Sequence, residues 1–115
     1  MTPDAFRALA LALPGATEGQ HNGHPDFRVG GRIFASLGVP DAGFAMVKLN
    51  RDEQDVLVEA APAVFSPAAG SWGLAGSTRV RLGEAETGTI AGPLRLAWRH
   101  LAPKHHLNDQ GTDRA

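Results

Sequence analysis

Thr78-Arg79-Val80-Arg81-Leu82, followed by Ile90-Ala91-Gly92-Pro93-Leu94-Arg95-Leu96-Ala97-Trp98-Arg99-His100-Leu101-Ala102-Pro103-Lys104, is the stretch whose reading decides the fold. Its first segment alternates apolar residues with arginine, the period of a strand buried on one face. Val80 and Leu82 then face a core, and Arg79 and Arg81 face away from it. In the second segment Ile90, Leu94, Ala97, Trp98 and Leu101 share one helical face, which predicts a helix over roughly Glu86 to Leu101. Gly88, Gly92 and Pro93 oppose its first half, since an interior proline costs ~3 kcal/mol. A kink, or a late start near Pro93, is expected.

Towards the N-terminus, Thr2-Pro3-Asp4 is a helix start, with a hydroxyl cap, proline at the first position and an acid in the first turn. Phe6, Leu9, Ala10 and Leu13 follow at helical spacing until Pro14-Gly15. Ala16 to Pro25 reads as a polar loop. Asp26 to Leu37 reads as a hairpin turning at Gly30-Gly31, with Phe27 opposite Phe34, Val29 opposite Arg32, and Arg28 and Ile33 on the other face. Gly43 to Leu49 is a third strand. Asn50 and Glu53 form a capping box for a helix whose expected apolar stripe is Val56, Leu57, Ala60 and Ala61. Ala63 to Ser71 reads as a loop, and Trp72–Leu74 and Ser77–Leu82 as two more strands.

The fold class expected from this order, α-β-β-β-α-β-β-α, is α+β: a two-layer, five-stranded antiparallel sheet with helices on one face. A chain of 115 residues can bury a core without metal or disulfide support. The expected organisation is one domain over residues 1–104 and a flexible tail over 105–115. Cysteine is absent, which excludes a thiolate zinc site. No signal pattern or membrane-length apolar run is found, so a cytoplasmic protein with no membrane association is expected.

Net charge is −1, which argues against a polybasic nucleic-acid binder. The charge is unevenly spread. Residues 1–70 carry five basic and eight acidic groups, net −3, whereas residues 71–106 carry five basic and two acidic groups, net +3. An anionic partner should prefer the second half.

Leu13-Pro14-Gly15, Phe27 and Val29 before the Gly-Gly turn, Arg32 and Phe34 after it, Val47-Lys48-Leu49, Trp72, the strand Thr78–Leu82 and the segment Ala97–Lys104 together resemble the MmcQ/YjbR family of small bacterial proteins. The resemblance spans about residues 3 to 104. It implies a two-layer α+β fold similar to that of type III secretion chaperones, and DNA binding as the expected activity. Gly92-Pro93 departs from the good helix formers that members usually carry there.

Two groups of cations are candidates for nucleic-acid contact. Arg28, Arg79 and Arg81 share the open sheet face, and Lys48 joins them if its strand turns that side outward; Arg32 lies just past the hairpin turn. Arg99 and Lys104 stand at the basic end of the last helix, beside Arg95 and His100. Guanidinium groups contact phosphates bidentately, and phosphate contacts supply most non-specific DNA affinity. A solvated polar face and a satisfied helix dipole explain the same residues without a ligand.

His21-Asn22-Gly23-His24 lacks the acids or thiolates that would complete a metal site with His105-His106, so no metal and no cofactor are expected. Trp72 and Trp98 are expected as core anchors. No nucleophile elbow, phosphate loop or acid pair is present, so catalysis is not expected. The leading reading is a monomeric DNA-binding module. The alternative is an adaptor for a protein or peptide partner.

Overall fold

Thr2 caps the first helix as read, its Oγ1 accepting from the Ala5 amide. In this computed structural model, which describes residues 1–111, the chain then runs α1 (Pro3–Leu11), β1 (Thr17–His21), β2 (His24–Val29), β3 (Arg32–Leu37), β4 (Phe44–Lys48), α2 (Arg51–Ala60), β5 (Phe65–Pro67), α3 (Gly70–Leu74), β6 (Ser77–Arg81), a 3-10 turn (Leu82–Glu84), α4 (Thr87–Leu101) and α5 (Lys104–Gly111). All six strands form one antiparallel sheet in the order β1-β2-β3-β4-β6-β5.

The alternation at Ser77–Arg81 sorts the sheet into two faces. Ala45 pairs with Val80 and Val47 with Thr78, and all four are fully buried. The intervening pairs, Phe44 with Arg81, Met46 with Arg79 and Lys48 with Ser77, point the other way. Helix α4 packs on β3 and β4, and α1 packs on α4. Phe6, Phe27, Phe34, Phe65, Ile90 and Trp98 fill the layer between. Trp98 is 1% exposed, and its indole N–H donates to the Pro14 carbonyl at 2.8 Å. Its one polar atom is thereby satisfied inside the core.

The sheet has six strands rather than five, because Ala16–Pro25 is not a loop. Thr17–His21 pairs along β2, turning at Asn22 (φ 50°) and Gly23 (φ 79°). Two consecutive positive φ angles make the tight turn that Asn-Gly favours. In the next hairpin Val29 does oppose Arg32, but a bulge after Phe27 sets Phe27 against Ala35 instead of Phe34. Phe34 and Ala35 are consequently both buried.

Near the other edge, strand and helix exchange places. Phe65–Pro67 is the edge strand β5, where a proline is tolerated, and Trp72–Leu74 lies in helix α3. Gly73 makes that helix possible: a Cβ there would stand 1.8 Å from the Ala68 carbonyl oxygen. Leu82 belongs to the 3-10 turn, not to the strand. The capping box on α2 is present, but the buried face differs from the stripe read: Val56 is 66% exposed, whereas Gln54 is buried. Helix α4 begins at Thr87 with Pro93 buried inside it, so the late start does not occur. Residues 105–111, read as tail, lie in α5, and Leu107 packs against the core. The rest of the expected tail lies outside the described residues.

Gln54 ties this half of the molecule together. Its Nε2 donates to the carbonyls of Gly73 (3.0 Å) and Ser77 (2.9 Å), joining α2 to α3 and β6. Gln54→Leu keeps the volume and removes both hydrogen bonds, each worth ~0.5–1.5 kcal/mol net, while the Gly73 and Ser77 carbonyls keep the amides of Gly76 and Ala68. A loss of ~1–3 kcal/mol is expected in urea unfolding, against a change within ~0.5 kcal/mol for the exposed Val56→Ser. Equal midpoints for the two variants would contradict this role.

Candidate ligand cleft on the open sheet face

The face turned away from α4 is built by the same register that builds the core. Asp26, Ser36, Met46, Arg79 and Ser66 are successive cross-strand partners on β2, β3, β4, β6 and β5, so they form one row across it. Lys48 with Ser77, Phe44 with Arg81 and Arg28 with Ile33 flank that row. Over it lies a cleft of about 430 Å³. Ile33, Ser36, Met46 and Ser77 come from its sheet floor. Trp72 of α3 walls one end, and Val39 and His21 line the other; Lys48 and Arg79 also border it.

Beside the cleft, Asp26 is fully buried and bonded on both oxygens. Arg28 donates through Nε to Oδ1 at 2.8 Å and through Nη2 to Oδ2 at 3.0 Å, and His21 Nδ1 lies 2.8 Å from Oδ2. The Arg28 hydrogen bonds hold the Asp26 carboxyl below its ordinary value, against the opposing effect of burial, with His21 adding to the lowering. Arg28 is raised in turn by Asp26. This bidentate pair consumes the Arg28 charge locally.

The remaining cations on this face are differently placed. Lys48 Nζ stands over the Trp72 ring, 5.6 Å from its centroid, and the Arg81 guanidinium lies over Phe44 at 4.9 Å. Arg79 is half-buried at the cleft. Among the described residues none of Lys48, Arg79 and Arg81 has an acidic partner within ion-pair distance.

The predicted site residues therefore divide. Lys48, Arg79 and Arg81 share the open face, and Arg28 shares it with its charge spent on Asp26. Arg32 is exposed at the β2–β3 turn, opposite Val29 and on the other parity. Arg99 is exposed on α4 and Lys104 on α5, so both belong to the helix layer behind the sheet. Trp72, expected as a core anchor, is 65% exposed because α3 projects it over the open face; Trp98 alone anchors the core. Among the described residues no group of three metal-ligating side chains occurs, and His21 is engaged by Asp26. The His21–Asp26 pair does not extend to a nucleophile: among the described residues, no hydrogen bond joins His21 to Ser36 or Ser77. Ser36 and Ser77 were not singled out for binding, and only their strand parity relative to Arg79 and Lys48 could have marked them.

Asp26 gives the site a pH signature. A carboxyl with a depressed folded value stabilises fully above its unfolded value, near pH 4, and loses that stabilisation as pH falls through the folded value. Wild type should therefore lose stability on acidification below about pH 4, in excess of Asp26→Asn. At pH 7 the variant should be the less stable of the two. Parallel stability–pH curves in chemical denaturation would rule out the buried ion pair.

The YjbR family model matches residues 11–100 of the chain. No curated protein matches it. Among solved structures, the crystal structure of Deinococcus radiodurans protein DR2400, a DUF419 domain, superposes with a TM-score of 0.69 at 20% identity, covering 84% of this chain and 75% of that one. At that identity the likeness concerns the fold: an antiparallel sheet with helices packed on it. The family model spans both central hairpins, α3 and nearly all of α4, and the chain belongs to the YjbR family.

Proposed function

We propose that this protein is a non-catalytic binding module that takes single-stranded nucleic acid on the open face of its sheet. One observation carries the reading: Lys48, Arg79 and Arg81 stand on an uncovered sheet face without acidic partners among the described residues, two of them over aromatic rings. Cations that track phosphates, set beside rings on which bases stack, are what single strands need from a protein surface. DNA fits this chemistry as the expected ligand. Arg28 contributes little, since Asp26 neutralises it, and Arg99 and Lys104 face away.

Fluorescence anisotropy with a labelled single-stranded oligonucleotide tests this. Three phosphate contacts at ~0.7 each predict log K falling with log salt at a slope of about −2. Arg79→Ala with Arg81→Ala should weaken binding and flatten that slope by about 1.4, whereas Arg99→Ala with Lys104→Ala should leave both unchanged. Absence of any salt-dependent binding by wild type at low ionic strength would sink the reading.

A protein or peptide partner is the second reading, favoured by the apolar exposure of Val56, Trp72 and Leu74 at 66%, 65% and 67%. Such a partner should be lost with Leu74→Ser and kept with Arg81→Ala, the reverse of the nucleic-acid expectation.

A further inference from the structure

We infer that the cleft is a pocket for one unstacked nucleobase with its phosphate; this deepens the single-strand reading above and rests on it. About 430 Å³ lies within the ~300–1,000 Å³ of small-ligand sites and is ample for one nucleotide. The walls are those a flat ring requires: Trp72 at one end, Met46 and Ile33 below.

Two hydroxyls make the pocket more than an apolar recess. Ser36 and Ser77 are 1% and 3% exposed, both line the cleft, and among the described residues neither hydroxyl has a hydrogen-bond partner. Neither hydroxyl oxygen is sealed from the cleft, so solvent meets both, and an occupant that covers them must bring polar atoms in its place. Each hydroxyl can donate and accept, which matches the mixed edge of a base. An aliphatic peptide side chain would leave both unmet, at the cost of burying unsatisfied groups. Lys48 and Arg79, also bordering the cleft, supply the positive charge for the attached phosphate.

The distribution of indoles provides the readout. Trp72 is exposed at the cleft, Trp98 is enclosed in the core, and the chain has no tyrosine. A deoxynucleoside monophosphate should quench wild-type indole fluorescence saturably and leave Trp72→Phe unaffected. In parallel, two single-stranded oligonucleotides of equal length and charge are compared, one with bases and one abasic. Removing the bases should weaken binding about tenfold or more, the scale of stacking one base on an aromatic side chain. Ser36→Ala, whose fold is monitored by the near-ultraviolet dichroism of Trp98, should narrow that gap severalfold. If both oligonucleotides bind equally with the same salt slope, the pocket is overturned while the phosphate-binding face stands. If neither binds, both readings fall.

Discussion

The pairing of β4 with β6 is the constraint on which the rest of this molecule depends. Ala45, Val47, Thr78 and Val80 must all lie under the helix layer, or the core around Trp98 and Phe6 loses its floor. Because side chains alternate with a period of two, that requirement leaves no choice for Met46, Lys48, Arg79 and Arg81. A slip of one residue would bury two arginines and a lysine and expose the centre of the core. Core and candidate site are thus one decision of register, and no separate device is needed to gather cations on the open face.

Two polar fixtures then shape that face. Asp26 is buried where a carboxylate is costly, and it remains charged because Arg28 bonds it through both arms. The pair removes Arg28 from the set of free cations and holds His21 at one end of the cleft. At the other end, Gln54 reaches through from α2 to bond Gly73 and Ser77, seating the helix that carries Trp72. Breaking either fixture would free a wall of the cleft, and loss of Gln54 would also remove a bond to Ser77 on its floor.

Where sequence reasoning succeeded, the deciding signal was local. The alternation at Thr78–Arg81, the Asn50–Glu53 capping box, the Gly30-Gly31 turn and the core face of α4 each follow from a few neighbouring residues. Where it failed, a distant contact decided. Phe65–Pro67 is a strand because it completes the edge beside β6, not because its sequence favours one. Trp72 leaves the core because Gly73 lets α3 close against Ala68. Pro93 sits inside α4 because the burial of Ile90, Leu94 and Trp98 outweighs its missing hydrogen bond. The first strand is a different matter: Asn22-Gly23 is a strong turn signal, and the polarity of its flanks hid it, as an edge strand's polarity often does. At the site, strand parity identified Arg79 and Arg81, but no sequence pattern reveals that Arg28 is neutralised or that Trp72 faces Lys48.

Magnitudes determine what such a face can bind. Three free cations at the salt dependence of single strands make electrostatic attraction modest, and a net charge of −1 adds no long-range pull. Charge alone would give a weak, indiscriminate surface. The arginines and lysine are better suited to orienting a strand than to holding it. Holding it falls to the enclosed part of the face, where an aromatic wall can stack a base and two hydroxyls favour a polar occupant over an aliphatic one that would leave them unmet. The open face is therefore weakest where it is most charged and most selective where it is most enclosed.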